Sequence, residues 1–244
     1  MNSYIISIRP EWVKKIVDRE KTFEVRKSAP KEVPFKAYIY VTKDGINGRS
    51  SEVLLLNKHT GEVGFGDYRN ACHYGKDDFE ICNGHVVGEF ICDKVEKFYC
   101  ASVPYQKENN LGYGQFVDNG VYKVNNWHEG VVFERNDRYI DSMLNNNDLK
   151  EMCLSAQELF DYIGIGKHLY GWHISDLKIY DKPKELSEFR KALDRVYCSY
   201  FKDYCEEGCV SFGNTDYSCN DYWNWEKGLT RPPQSYMRVE ELGE

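Results

Sequence analysis

The chain has 244 residues, of which 41% are hydrophobic, 29% are charged and 15% are aromatic. This composition is that of a protein with a buried core and excludes intrinsic disorder. The formal net charge of −7 excludes non-specific coating of nucleic acid, because an acidic surface repels a phosphate backbone. The apolar runs are too short to span a bilayer and the N-terminal residues lack the apolar region of a signal peptide, so we expect a cytoplasmic protein with no membrane partner.

The chain begins with a predicted strand at residues 4–8, followed by a helix that starts at Pro10. Proline suits the first helical turn because its missing N–H would be unpaired there. Four apolar residues then recur at helical spacing and predict one buried face: Trp12, Val13, Ile16 and Val17. The helix therefore ends shortly before Lys21.

Residues 20–26 read Glu-Lys-Thr-Phe-Glu-Val-Arg and concentrate the side chains with most potential chemistry. Apolar and polar residues alternate there, so a strand places Glu24 and Arg26 on one face, next to Lys21. Residues 9–36 hold nine Lys or Arg and five Asp or Glu, which makes this part basic on an otherwise acidic chain. Such a patch suits one anionic group or a short nucleic-acid strand, although a solvated helix face has the same composition.

Two further strands are predicted at residues 36–42 and Val86–Cys92, where Gly88 indicates a bulge or a close approach. The intervening residues 43–84 contain seven glycines and little periodicity, which indicates an inserted loop with one hairpin around residues 60–61.

A second polar insertion covers about residues 101–150, with a strand fragment at 121–124 and a short strand at 131–133. Ser155 and Glu158 then form a capping box, which predicts a helix that runs to Gly164.

The C-terminal part carries predicted strands at residues 169–175, 177–180 and 234–239, and a predicted helix near residues 185–196. Trp172 and His173 are neighbours on the first of these strands and therefore face opposite ways. Trp172 either lines a cleft, where its ring could stack on a base, or lies in the core with His173 at the surface.

Nine cysteines without a secretion signal indicate reduced thiols. Four of them form a C-x6-C-x3-C-x9-C arrangement in a segment with few other core residues: Cys198, Cys205, Cys209 and Cys219. Four thiolates could hold a structural zinc ion that replaces a hydrophobic core. The alternative is a loop with free thiols, anchored by Trp223 and Trp225.

Several segments together resemble the ASCH domain family, whose signature reads Gly-x-Lys-x-x-Glu-x-Arg. Lys21, Glu24 and Arg26 match this signature, and Arg19 stands where it has glycine. The other matching segments are Ser7-Ile8-Arg9-Pro10, Val86-Val87-Gly88-Glu89-Phe90, Tyr170-Gly171-Trp172-His173-Ile174 and Lys182-Pro183-Lys184-Glu185-Leu186. The ending at residues 229–235 is similar to that of larger phage and Firmicute ASCH-like proteins.

The resemblance implies an α+β protein with a PUA-like twisted β-barrel, flanking helices and two large insertions. The family domain would cover residues 1–197, with insertions at about 43–84 and 101–150. Residues 198–244 would form a cysteine- and aromatic-rich tail that closes with a strand and packs on the same domain.

The resemblance also implies binding of RNA or a nucleotide-like small molecule in a cleft formed by Lys21, Glu24 and Arg26, with Arg9 and Trp172 as further ligand contacts. One alternative is a hydrolase for a modified nucleoside or RNA, with Lys21 as nucleophile or base and Glu24 assisting. In the family branch that acts on N4-acetylcytidine a threonine stands where this chain has Glu24.

A second alternative is a phage or bacterial protein-interaction module that uses the insertions as its contact surface. A third interpretation of the charged segment itself is an ion-pair network that joins the helix to the strand.

Overall fold

The computed structural model describes residues 1–43, 52–67, 78–103, 116–118, 121–124, 130–135, 144–192 and 228–243. The strands of this part of the chain are β1 (Asn2–Ile8), β2 (Phe23–Arg26), β3 (Phe35–Val41), β4 (Glu52–Asn57), β5 (Val63–Asp67), β6 (Phe79–Ile81), β7 (Val86–Cys92), β8 (Val95–Val103), β9 (Phe116–Asp118), β10 (Val121–Lys123), β11 (Gly130–Arg135), β12 (His168–His173), β13 (Ser175–Lys184) and β14 (Tyr236–Val239). The helices are α1 (Pro10–Val17), α2 (Asn146–Met152) and α3 (Ala156–Ile163), with a short 3-10 helix at Leu186–Glu188.

The strands form three sheets. A five-stranded sheet has the order β13-β7-β3-β1-β14, and a six-stranded sheet has the order β2-β12-β8-β11-β10-β9. A small sheet, β5-β4-β6, belongs to the first insertion. The chain is thus an α+β protein rich in strands. Within the described residues each sheet is open at both edges, so the closed barrel that the resemblance implies is not shown.

The core lies on both faces of the six-stranded sheet. Alternate residues of β12 and β8 point to opposite sides, so Trp172 joins the apolar cluster of the five-stranded sheet, with Ile6, Ile39 and Phe90. Phe98 and Leu169 join a second cluster with α2 and α3 on the other side. Trp172 therefore packs between the two large sheets.

Most of the predicted elements are confirmed. The first helix has the bounds Pro10–Val17 and buries Pro10, Val13 and Ile16. The hairpin in the first insertion is formed by β4 and β5, which pair antiparallel. The capping box of Ser155 and Glu158 begins α3, and the last predicted strand pairs with β1 as β14.

Gly88 confirms both of its predicted roles. A Cβ atom at this position would lie 2.4 Å from the Lys178 backbone oxygen, so the neighbouring strand β13 approaches too closely for any side chain. The register between β3 and β7 also shifts between Ile39 and Tyr40, which marks a bulge beside Gly88.

One prediction for the remaining segments is corrected. The helix expected near residues 185–196 is limited to Leu186–Glu188, because Lys191 pairs instead with Val239 of β14 and residues from 193 lie outside the described part. The strands predicted in the second insertion, at residues 121–124 and 131–133, are confirmed as β10 and β11, and β11 pairs with β8 in the six-stranded sheet. The domain boundary at residue 197 lies outside the described residues and stays a prediction.

The turn after α1 has the geometry of a Schellman motif. Arg19 N–H donates to Ile16 O at 3.0 Å and Glu20 N–H donates to Lys15 O at 2.9 Å, which closes the helix end. Arg19 has a φ of 61°, in the left-handed region that usually requires glycine. The position where the ASCH signature has glycine is therefore the left-handed residue of this turn.

No helix among the described residues is long and apolar enough to cross a membrane.

We expect Arg19→Gly to raise the free energy of unfolding by about 0.5–1 kcal/mol, because glycine has no Cβ penalty at a positive φ. Urea denaturation measures the change. The matched control is Lys14→Gly in the same helix, which should lower stability by about 1 kcal/mol. Destabilisation by Arg19→Gly would contradict the left-handed turn.

Candidate functional site

Lys21, Glu24 and Arg26 form a buried cluster of charges, which we call the charged cluster. Their exposed fractions are 3%, 6% and 7%. Lys21 directly follows the Schellman turn, and β2 carries the other two side chains on its inner face. Burial of charged groups is costly unless each finds a partner, so the contacts inside the cluster decide what it can do.

Strand pairing fixes the orientation of the cluster. In the antiparallel register of β2 and β12, Glu24 lies opposite Trp172 and Arg26 lies opposite Tyr170. The predicted alternation is confirmed, since Val25 points the other way into the second apolar cluster.

Lys21 contacts the C-terminal end of α2. Its Nζ atom donates to the Met152 backbone oxygen at 2.6 Å and lies 3.8 Å from Glu24 Oε2. Thr22 N–H donates to the neighbouring oxygen of Glu151 at 2.8 Å. Because the last carbonyls of a helix have no partners within it and carry partial negative charge, this end of α2 is a favourable site for an ammonium group.

Burial lowers the pKa of Lys21 below its ordinary value of 10.5, and the Glu24 carboxylate opposes this shift. The ring of Trp12 also faces the ammonium, with its centroid 5.4 Å from Nζ. Desolvation thus favours the neutral amine, the form required of a base or nucleophile, whereas Glu24 and the Trp12 ring favour the ammonium.

Arg26 is the least satisfied member of the charged cluster. Its Nε atom lies 3.0 Å from Glu24 Oε1, but the pair lacks hydrogen-bond geometry and the buried Nε–H has no acceptor. A terminal nitrogen of the guanidinium donates to the Ser7 backbone oxygen at 2.7 Å. Two cations thus share one carboxylate, and one buried donor is left for another acceptor.

Trp172 lies in the core and not at an open cleft. Its side chain is fully buried, with ring centroids of Phe35 and Tyr236 at 5.0 Å. This corrects the interpretation in which a base stacks on its ring, because no face of the ring is accessible. Its indole N–H is nevertheless buried without an acceptor, on the same sheet face as Arg26.

Sequence reasoning missed the contributions of α2 and Tyr162 to the site. The capping box of Asn145 and Asp148 that begins α2 is visible in the sequence, but no signal shows that a backbone oxygen of Met152 binds Lys21. Tyr162 of α3 is 40% exposed. Burial of its hydroxyl raises the pKa of Tyr162, and the nearby Arg26 charge opposes the shift.

Of the other predicted site residues, Arg9 lies within the described ranges and the four cysteines do not. Arg9 is exposed at the N-cap of α1, whereas the charged cluster is buried. The four cysteines of the zinc hypothesis lie in residues 193–227, outside the described part, and that site stays a prediction. Within the described ranges no group of three His, Cys, Asp or Glu could hold a metal ion.

We expect the stability of the wild type relative to Lys21→Met to rise as the pH increases from neutral towards 10.5. Because burial lowers the pKa of Lys21 in the folded state, the unfolded chain binds more protons between the two pKa values, and folding becomes more favourable as protons are removed. Urea denaturation of both proteins at several pH values measures this difference. A relative stability that falls with rising pH would contradict the desolvated environment of Lys21.

Two solved structures are similar to this one, and both are of an ASCH protein from Zymomonas mobilis. The chain is 13% identical to that protein with a TM-score of 0.41, and the similarity covers 98% of this chain and 88% of that chain. A point mutant of the same protein gives the same identity and TM-score, with 99% and 92% covered. No family model and no curated protein matches the chain. The two similar structures thus carry the name of the family that residues 20–26 resemble.

Proposed function

We propose that the protein binds RNA or a nucleotide through an anionic group that contacts the charged cluster. The observation that carries this proposal is the composition of the cluster, in which two buried cations share one carboxylate. A phosphate would balance the charge, and charge-assisted bonds between arginine and phosphate are strong and directional.

One unsatisfied donor supports a ligand with acceptors. The Arg26 Nε–H is buried without a hydrogen-bond partner. A phosphate has acceptors that suit this donor. Because an unpaired buried donor costs free energy, its satisfaction by a ligand favours binding.

A ligand must compete with the contacts that the cluster already makes. Lys21 is bound to the Met152 oxygen, and Arg26 is bound to the Ser7 oxygen. The Nε–H of Arg26 takes part in neither bond, so a ligand acceptor at this atom would compete only with the ion pair to Glu24. Arg26 is therefore the first expected ligand contact, and Lys21 supports the binding through its charge.

We expect Arg26→Gln to weaken the binding of uridine monophosphate and short RNA by about tenfold or more, the amount that loss of a charged hydrogen bond produces. Uridine without a phosphate should bind weakly to both proteins. Isothermal titration calorimetry measures the affinities, and Lys178→Gln, an exposed cation on β13, is the control.

The single variant leaves Lys21 and Glu24 as a balanced buried pair, so Arg26→Gln should keep its fold. An unchanged thermal unfolding temperature shows this. Unchanged phosphate binding in the folded Arg26→Gln variant would refute the proposed site.

A hydrolase is the second candidate, and the lowered pKa of Lys21 favours it. A neutral amine could act as nucleophile or base, and Glu24, 3.8 Å away, could accept its proton. In this function Lys21 would be the reacting group and Glu24 its assistant, with a modified nucleoside or RNA as substrate.

We expect a hydrolase to lose turnover in Lys21→Arg while it keeps its affinity, because arginine keeps the charge but does not release its proton at any working pH. Mass spectrometry of modified nucleosides and oligonucleotides incubated with the protein detects both retention and conversion. Absence of conversion by the wild type, or conversion that persists in Lys21→Arg, would exclude Lys21 catalysis.

A further inference from the structure

A row of cations and aromatic rings extends from the charged cluster across the six-stranded sheet. Arg26 on β2 lies opposite Tyr170 on β12, and Tyr170 lies opposite Lys97 on β8. In the next row along these strands His168 lies opposite Tyr99. Paired residues and residues two apart share a face, so these five side chains form one surface, which we call the aromatic face.

Burial decreases steadily along β12 from the charged cluster outwards. Trp172 is fully buried, Tyr170 is partly buried against the same core, and His168 is exposed. The alternate residues Leu169 and Phe98 point to the opposite side and are fully buried there. The aromatic face therefore continues from the buried site towards solvent. Its outer rings are not buried in the core.

Side chains of the aromatic face contact one another in two pairs, a cation with a ring and a ring with a ring. Lys97 Nζ lies 6.0 Å from the ring centroid of Tyr170, and the rings of Tyr99 and His168 have centroids 5.0 Å apart at 48°. Glu134 of β11 lies opposite Tyr99 and forms the acidic border of this surface. The face thus presents two ring platforms, of which the inner one lies between two cations.

This pattern suits single-stranded nucleic acid. Bases stack on aromatic side chains of open sheets, each base contributes about 1–3 kcal/mol, and nearby cations contact the phosphates.

We propose that the aromatic face binds the nucleotides that follow the one at the charged cluster, so that the ligand is a single-stranded RNA of at least three nucleotides. This inference rests on the proposed function. One phosphate contacts Arg26, the adjacent base stacks on Tyr170, and the next base stacks on the platform of Tyr99 and His168. Lys97 contacts the phosphate between them.

The test compares uridine monophosphate with oligouridines of two to six nucleotides by isothermal titration calorimetry. Affinity of the wild type should rise with each nucleotide up to three or four and then level off. Tyr99→Leu combined with His168→Ala should reduce the affinity for the longer oligouridines by about tenfold and leave uridine monophosphate binding unchanged. The control His59→Ala, an exposed histidine between β4 and β5, should change neither affinity.

The outcomes separate this inference from the proposed function. If uridine monophosphate and the longer oligouridines bind equally well, or if the double variant binds all of them like the wild type, the aromatic face does not bind RNA, although the charged cluster still binds a phosphate. If no phosphate-containing ligand binds the wild type, the proposed function fails, and this inference fails with it. An unchanged thermal unfolding temperature shows that the double variant is folded.

Discussion

Two cations are buried with a single carboxylate, and the arrangement of the strands and helices around them must compensate these charges. A charge removed from water must be compensated by partners, and here the partners come from three separate parts of the chain. Glu24 lies between Lys21 and Arg26, the end of α2 supplies the Met152 oxygen, and β1 supplies the Ser7 oxygen. The turn after α1, the end of α2 and strands of both large sheets are therefore joined at one point of the fold.

The same contacts stabilise the C-terminal end of α2, because they satisfy its last backbone oxygens. Its last two carbonyls, those of Glu151 and Met152, would be unpaired within the helix, and they accept bonds from Thr22 and Lys21. The turn after α1 and the end of α2 thus satisfy each other. This arrangement leaves the Nε–H of Arg26 as the buried donor of the charged cluster that still lacks an acceptor.

Much of this arrangement follows from local patterns that can be read in the sequence. The apolar stripe of α1, the alternation in β2 and the capping box of Ser155 depend on neighbouring residues, and they are confirmed. The segment that contains the candidate site was located for the same reason, because Lys21, Glu24 and Arg26 are close in the chain.

The remainder depends on contacts between distant residues, which local patterns do not report. The partner of Lys21 is a backbone oxygen of residue 152, and any residue type could supply it. The helix predicted near residues 185–196 is wrong for residues 189–192, because pairing of Lys191 with Val239 overrides local helix propensity there. Trp172 was open to two interpretations, since a strand pattern fixes which face a side chain occupies but not what covers that face.

The most direct test of the central claim is the NMR resonance of the Arg26 Nε–H group, assigned through its loss in Arg26→Gln. Addition of uridine monophosphate should shift this resonance strongly downfield, because the Nε–H group then donates a hydrogen bond to a phosphate oxygen. Addition of uridine should shift the resonance little. An Arg26 resonance that stays unchanged while uridine monophosphate or RNA binds would show that the ligand lies elsewhere and would contradict the account.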